Sequence, residues 1–292
     1  MPEGDTIFRA ARSLHRALAG KVVTQFESVY PALTRIAEDQ PIVGRTIESV
    51  AARGKHLLMT FSITRAAASG GGAPRAVEEV LILHTHMRMN GSWHLYPAGA
   101  RWQRPVRDMR VMVATADAVA VGFNVPIAEL LTPRQLARHP ALAALGPDLL
   151  DPTFDRGDAM RRMRARERDA IGDVLLDQRA IAGIGNVLKS EILFIAGVDP
   201  FTPVAALDDA TLERIVDGAR HQLAANVMDR KQTLVPSIAR RTTRSMNPNA
   251  RLWVYSRGGK PCRRCGAIIQ SRKTGLDARL TYWCPDCQRP GR

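Results

Sequence analysis

The sequence predicts an α+β protein with a β-rich N-terminal domain over residues 1–130, a connector over 131–152, a helical domain over 153–250 and a small metal-binding hairpin over 251–292. Three observations predict it. Short runs of strand length fill the first part of the chain, helical spacing dominates residues 153–229, and all four cysteines sit in two C-x-x-C pairs near the end. Strands and helices that occupy separate stretches, rather than alternating, point to α+β over a parallel α/β sheet.

Taken in order, residues 4–18 read as an amphipathic helix. Ile7, Ala10, Ala11, Leu14 and Leu18 recur at helical spacing, and Gly20 stops it. Strand-like runs follow at Val22–Val23 with Phe26, Ile47–Val50, Leu57–Phe61, Val80–Leu83, Ser92–Leu95, Arg110–Val113 and Val119–Val121. The Ala-, Ser- and Gly-rich stretch 65–79 reads as a flexible loop between two of them. Residues 130–149, rich in Leu and Pro, form a connector with short helices. Ala170–Leu176, Asn186–Ala196 and Thr211–Met228 are the clearest helices of the next part. The segment 231–251 has few apolar residues and many Arg, Thr, Ser and Asn, and reads as a mobile loop.

Charge narrows the partners. Lys and Arg number 42 against 28 acidic residues, a net +14. Residues 229–292 hold 15 Lys/Arg against three Asp, so this segment alone carries +12. A basic tail of this kind points to phosphate backbones; a positively charged, solvated tail is the plainer alternative. Hydrophobic residues make up 45% of the chain, enough to bury a core. No run of 18 apolar residues suggests a membrane span, and Arg9, Arg12, His15 and Arg16 interrupt any signal-peptide core, so a cytoplasmic chain without membrane association is expected.

Four motifs carry chemistry. Cys262-x-x-Cys265 and Cys284-x-x-Cys287 are separated by 18 residues. Two tight turns at that spacing present four thiolates to one Zn²⁺, and with every position filled by protein the ion is structural. Between the pairs, Leu276–Trp283 reads as a hairpin with Arg279 near its tip, placed to hold phosphate. The segment Gly183-Ile184-Gly185-Asn186 lacks the third glycine of a dinucleotide fingerprint. It reads instead as a tight turn between helices, whose N–H groups, with the Asn186 side chain, can bind a phosphate. Arg53-Gly54-Lys55 alone is an ordinary surface turn. At the other end, Pro2 follows the initiator methionine. Removal of Met1 would leave a secondary amine beside the carboxylate of Glu3, a pair suited to nucleophilic and acid–base chemistry.

Pro2-Glu3-Gly4, Arg53-Gly54-Lys55, Gly183-Ile184-Gly185-Asn186 and the Arg279-to-Cys287 ending occur in the order found in the formamidopyrimidine-DNA glycosylase / endonuclease VIII family. The chain resembles that family over essentially its whole length. The resemblance implies a β-sandwich domain, a helix–two-turns–helix domain and a zinc finger, acting as a monomer on damaged DNA. It assigns Pro2 as nucleophile, Glu3 as general acid/base, Lys55 and Asn186 as phosphate contacts, and Arg279 as the zinc-finger contact to the phosphates flanking the lesion. His86-Met87-Arg88-Met89-Asn90-Gly91-Ser92-Trp93 resembles the loop that fills the gap left by a flipped base, with Met89 as the wedge.

The implied reaction is removal of an oxidised base followed by β,δ-elimination at the abasic site. An α-amino group titrates near about 7.7–8.0, so part of it is neutral at physiological pH. Attack of the Pro2 amine on C1′ of deoxyribose leads to an iminium ion, which acidifies the C2′ hydrogens and lets the 3′ and then the 5′ phosphate leave. Glu3 protonates the sugar ring oxygen as the ring opens.

Two departures from the family pattern stand out. Thr6 occupies the place of a second glutamate, with Asp5 beside it; either Asp5 takes over that interaction or the interaction is absent. The arginine–phenylalanine pair with which the formamidopyrimidine branch probes the opposite strand is missing from Val121-Gly122-Phe123-Asn124-Val125. Both, with Gly4, favour the endonuclease VIII branch and oxidised pyrimidines. The competing readings are a glycosylase preferring formamidopyrimidine or 8-oxoguanine lesions, an inactive DNA-binding homologue, and a zinc-ribbon RNA-binding factor; the last leaves the Pro2-Glu3 start unexplained.

Overall fold

A computed structural model describes residues 2–67, 75–227, 240–275 and 278–289, with the backbone alone at 64–67 and 75–78. The chain divides into two compact units. Pro2 and Thr6–Ala143 belong to the first; Glu3–Asp5 and the described residues from Ala144 onward, apart from that short exchange at the N-terminus, make the second.

The first unit is built on two four-stranded antiparallel sheets. One has the order β1 (Gln25–Ser28), β6 (Met109–Ala114), β7 (Ala118–Phe123), β5 (Ser92–Pro97); the other has β2 (Thr46–Arg53), β3 (His56–Ala67), β4 (Arg75–His86), β8 (Ile127–Leu131). Alternation sorts the side chains of β3 and β4. Leu57, Met59, Phe61, Leu81 and Leu83 face a core shared with Val111, Val113 and Ala120 of the other sheet. Helix α1 (Gly4–Leu18) completes that core with Ile7, Ala11, Leu14 and Leu18, the stripe expected from spacing, each worth about 1.5–3 kcal/mol for the larger side chains. Gly20 takes a left-handed φ of 78° just beyond the helix end.

Several sequence expectations change here. The loop expected over 65–79 is shorter, because β3 and β4 stay paired as far as Ala67 and Arg75; the glycines at 70–72 lie outside the described residues. Helix α2 (Pro31–Asp39) was not anticipated, although Pro31 at its first turn and buried Leu33 are ordinary helix-start features. The connector begins as strand: β8 pairs with β4 through Ile82↔Leu131 before α3 (Pro133–Ala137) and α4 (Pro140–Ala143). A Thr132–Gln135 capping box starts α3.

The second unit contains α5 (Arg156–Arg164), α6 (Ile171–Val174), α7 (Asn186–Ala196) and α8 (Asp209–Val227). The helix expected over 170–176 is a single turn. Helix α7 is buried at every position from Asn186 to Phe194, polar residues included, and ends on Gly197 in the left-handed region. A helix buried all round must pair its polar side chains internally. Glu191 does so with the N–H groups of Trp253 (2.7 Å), Val254 (2.8 Å) and Tyr255 (2.8 Å) and the hydroxyl of Thr242. Those contacts fasten residues expected to be a loose loop. Arg241 N–H also donates to Asn226 (2.8 Å), and Thr242 N–H to the Arg251 carbonyl (2.9 Å). Residues 231–239 of that segment lie outside the described residues. The terminal hairpin pairs β9 (Gln270–Thr274) with β10 (Arg279–Trp283), so its first strand precedes the one expected, and Arg279 opens the second strand opposite Thr274. Leu276 and Asp277 lie outside the described residues.

Candidate active site

Glu3 is fully buried against the start of α7. Its Oε1 accepts from Val187 N–H at 2.7 Å and its Oε2 from Leu188 N–H at 3.2 Å. Helix N-termini leave such N–H groups without intrahelical partners, and Gly185 at the cap has no side chain to offer. A carboxylate from 184 residues away supplies the cap, where the helix dipole also favours negative charge. The glycines explain the fit. A Cβ on Gly185 would stand 2.4 Å from Glu3 Cγ and Cδ, and one on Gly4 would stand 2.8 Å from Gly183 Cα. Gly4 N–H donates to the Gly183 carbonyl at 2.9 Å. The Gly-Ile-Gly-Asn turn is therefore a seat for the N-terminal segment. This corrects the reading of its N–H groups as a free phosphate site, since Glu3 occupies those of Val187 and Leu188.

Asp5 is also fully buried and is gripped by Arg240, whose Nε donates to Oδ2 at 2.8 Å and whose Nη2 donates to Oδ1. Nη1 of the same guanidinium lies 3.7 Å from Glu3 Oε2. Burial works against the Arg240 charge, but Glu3 and Asp5 outweigh it and hold the cation above its ordinary range. Asp5 thus has an ionic role of its own beside Thr6. Arg240 was not singled out from the sequence; nothing local marks one arginine among the many of this segment.

We expect Asp5→Asn to unfold the protein more readily, because Arg240 keeps its buried charge and loses half its compensation; breaking such a pair costs about 3–5 kcal/mol. The double variant Asp5→Leu, Arg240→Met should regain part of that loss. Thermal or denaturant unfolding of these proteins together with the single variants Asp5→Leu and Arg240→Met tests this, and additive losses in the double variant would show that the two side chains are not coupled.

The other predicted residues fall as follows. Pro2 is half-buried, and Met1 lies outside the described residues. Lys55 occupies the second position of a two-residue hairpin turn, after Gly54 at φ 59°, between the paired residues Arg53 and His56. Met89 is 69% exposed at the tip of the β4–β5 loop. The loop is braced beneath it by buried Met87, whose carbonyl accepts Gly91 N–H at 2.8 Å. Asn186 is buried, and its Nδ2 donates to the Leu280 carbonyl at 2.8 Å, so its side chain ties α7 to β10. Beside it, fully buried Lys189 donates to Thr281 Oγ1 at 2.7 Å; burial pushes its ammonium down to about 8. Arg279 lines a cavity of about 500 Å³ together with Arg166, Asp169, Asp173 and Asp177. Lys189 and the acidic lining were not foreseen, because the pairing of α7 with β10 joins residues 92 positions apart.

The four cysteine sulfurs lie within 4.8 Å of one another, with Cys262 to Cys287 at 3.9 Å and Cys265 to Cys284 at 3.4 Å. Four thiolates about 2.3 Å from a tetrahedral zinc stand about 3.8 Å apart, so the cluster fits one structural ion. Gly266 at φ 84° turns the first knuckle, and its N–H donates to the Cys262 carbonyl at 3.0 Å. Phe194 of α7 packs into the same small core as Cys262 and Cys284, and the Arg264 guanidinium lies 4.3 Å over its ring.

An N-terminal proline and glutamate, a helical unit whose glycine turn receives that glutamate, and a four-cysteine hairpin define a DNA-glycosylase architecture. Residues 1–126 match the formamidopyrimidine-DNA glycosylase N-terminal domain, 145–236 the formamidopyrimidine-DNA glycosylase H2TH domain, and 259–290 the zinc finger found in FPG and IleRS. The chain belongs to the formamidopyrimidine-DNA glycosylase / endonuclease VIII family. It is 41% identical to the probable endonuclease 8 2 of Streptomyces coelicolor, covering 100% of this chain and 97% of that one. It is 36% identical to the DNA-(apurinic or apyrimidinic site) lyase Nei2 of Mycolicibacterium smegmatis, with 99% of each covered. It is 34% identical to an endonuclease 8 of Escherichia coli, with 99% and 100% covered. The fold matches Lactococcus lactis Fpg (MutM) in complex with DNA containing an oxidised pyrimidine, with a TM-score of 0.77 at 23% identity over 99% of this chain and 100% of that one.

Proposed function

We propose that this chain is a bifunctional DNA glycosylase and AP lyase of base excision repair that favours oxidised pyrimidines and works through the Pro2 amine. The relatives named endonuclease 8 and AP lyase support the activity. The single structural observation behind the residue assignment is the seating of Glu3. A carboxylate fixed at both oxygens, next in sequence to the terminal proline, supplies a proton donor and acceptor whose position is set before DNA arrives.

In this reading the Pro2 nitrogen attacks C1′ and the damaged base departs. Glu3 delivers a proton to the ring oxygen as the sugar opens to the iminium ion. Loss of a C2′ proton expels the 3′ phosphate, and a second elimination expels the 5′ phosphate. Lys55 and Arg279 contact backbone phosphates, and Met89 fills the space left by the flipped base. An exposed methionine on a braced loop suits that role, since its unbranched side chain adapts to a gap between bases. Asn186 contributes to phosphate binding by holding β10, and with it Arg279, against α7. The chain acts as a monomer on DNA in the cytoplasm; among the described residues no helix is long and apolar enough to cross a membrane.

Substrate choice follows from the missing arginine–phenylalanine pair in 121–125. Little is left to probe the opposite strand, so single-turnover excision of thymine glycol or 5-hydroxy-pyrimidines should exceed that of 8-oxoguanine opposite cytosine, with modest dependence on the opposite base. Faster excision of 8-oxoguanine opposite cytosine, with strong discrimination against adenine, would place the chain with the formamidopyrimidine branch and leave the nucleophile untouched.

A further inference from the structure

Four of the chain's seven histidines gather in the first unit, on the face of the β2-β3-β4-β8 sheet opposite its apolar core. Antiparallel register puts them there. His56 pairs with His86 across β3 and β4, and His84 pairs with Glu129 across β4 and β8. His139 arrives from the turn between α3 and α4. Glu129 Oε2 lies 2.8 Å from His84 Nδ1 and 3.0 Å from His139 Nε2, so two imidazole nitrogens converge on one carboxylate oxygen.

We propose that His84, Glu129 and His139 form a second metal site, separate from the four cysteines, for a divalent transition-metal ion such as Zn²⁺ or Ni²⁺. Two imidazoles and one carboxylate are the donor set of three-ligand sites that leave positions open to solvent. Ligand atoms about 2.1 Å from an octahedral ion such as Ni²⁺ stand about 3.0 Å apart, close to the 2.8 and 3.0 Å of the two nitrogen–oxygen pairs here. The three atoms lie within 4.8 Å of one another, and an ion draws the two nitrogens closer by an inward turn of His139. His139 holds Glu129 through Nε2 and packs edge-on against the His84 ring with centroids 4.8 Å apart, while its Nδ1 has no hydrogen-bond partner to oppose that turn.

The surroundings match the way metal-bound histidines are oriented. His84 is 1% exposed, and its other nitrogen, Nε2, lies 2.8 Å from His56 Nδ1. With Nδ1 on the ion, the His84 proton sits on Nε2 and is donated to His56, a buried acceptor that fixes the ring and its tautomer. Glu129 is 44% exposed at its side chain, which gives the ion a route in and leaves room for water to complete its shell. Bound there, the ion clamps the α3–α4 turn onto β4 and β8.

The test uses the full chain with its cysteine site already filled by one zinc, checked by elemental analysis. Titration with Ni²⁺, followed by calorimetry, should show one further equivalent. Glu129→Gln and His139→Ala should each weaken that second event at least tenfold and leave the first zinc in place. His56→Ala should weaken it about 10–100-fold, as loss of an orienting partner does. Co²⁺ should report the new site by weak visible bands without thiolate charge-transfer absorption. If His139→Ala fails to fold, Glu129→Gln alone decides, since its amide keeps the side-chain shape. A titration that ends at one metal per chain, or a second equivalent that survives Glu129→Gln unchanged, overturns the proposal.

Discussion

Glu3→Gln should lose base excision by about two to four orders of magnitude, the usual contribution of a positioned general acid or base. Cleavage at a preformed abasic site should fall much less, because the base has already left. The structure adds a second expected effect. Both carboxylate oxygens accept backbone N–H groups at the start of α7, whereas an amide turns one acceptor into a donor facing Leu188 or Val187. That mismatch costs about 1–3 kcal/mol of stability. Gly185→Ala offers a complementary check, since its Cβ would collide with an unaltered Glu3 and displace it. Single-turnover rates on a lesion duplex and on an abasic duplex, read beside unfolding midpoints, separate the chemical role from the anchoring one. Equal loss on both substrates would argue against Glu3 as the acid of the first step.

Removal of the zinc should be the largest structural perturbation. The hairpin region is small, and its core buries only Phe194, Val254 and Ile269 with two of the cysteines, edged by half-buried Trp253, Ala267 and Tyr282. So few apolar side chains cannot order a segment of this length, and zinc binding supplies about 10–16 kcal/mol in comparable isolated modules. Cys265→Ser, or chelation, should unfold residues around the knuckles and release β10 from Asn186 and Lys189. DNA affinity should drop by well over tenfold, and its salt dependence should flatten as Arg279 and the neighbouring cations lose their fixed positions. Elemental analysis and affinity at two salt concentrations test this; a metal-free chain that binds DNA as tightly as the native one would remove the zinc from the account.

Much of this was legible from sequence because the signals were local. The stripe on α1 names its own buried face, and the cysteine spacing names its ion. Other features depended on contacts that no local pattern records. Arg240 meets Asp5 across 235 residues of sequence, and only the seating of Glu3–Asp5 on α7 selects it from its neighbours. The turn at Gly183–Gly185 was read as N–H groups open to a phosphate, and two donors of the helix start instead hold Glu3, since a helix N-terminus accepts a carboxylate as readily as a phosphate. Strand β8 was hidden because Leu130 and Leu131 sit beside Pro133 in a stretch that reads as a linker. Once β8 pairs with β4, Glu129 faces His84, a meeting that depends wholly on register.

The covalent intermediate is expected on the terminal amine of Pro2. Borohydride reduction during reaction with a duplex containing an abasic site, followed by mass mapping of the adduct, tests it most directly. Intact mass should first show a chain lacking Met1. One adduct is expected, on the nitrogen of Pro2 in the N-terminal peptide. An adduct on an internal lysine such as Lys55 or Lys189, or cleavage by a chain that retains Met1, would contradict it.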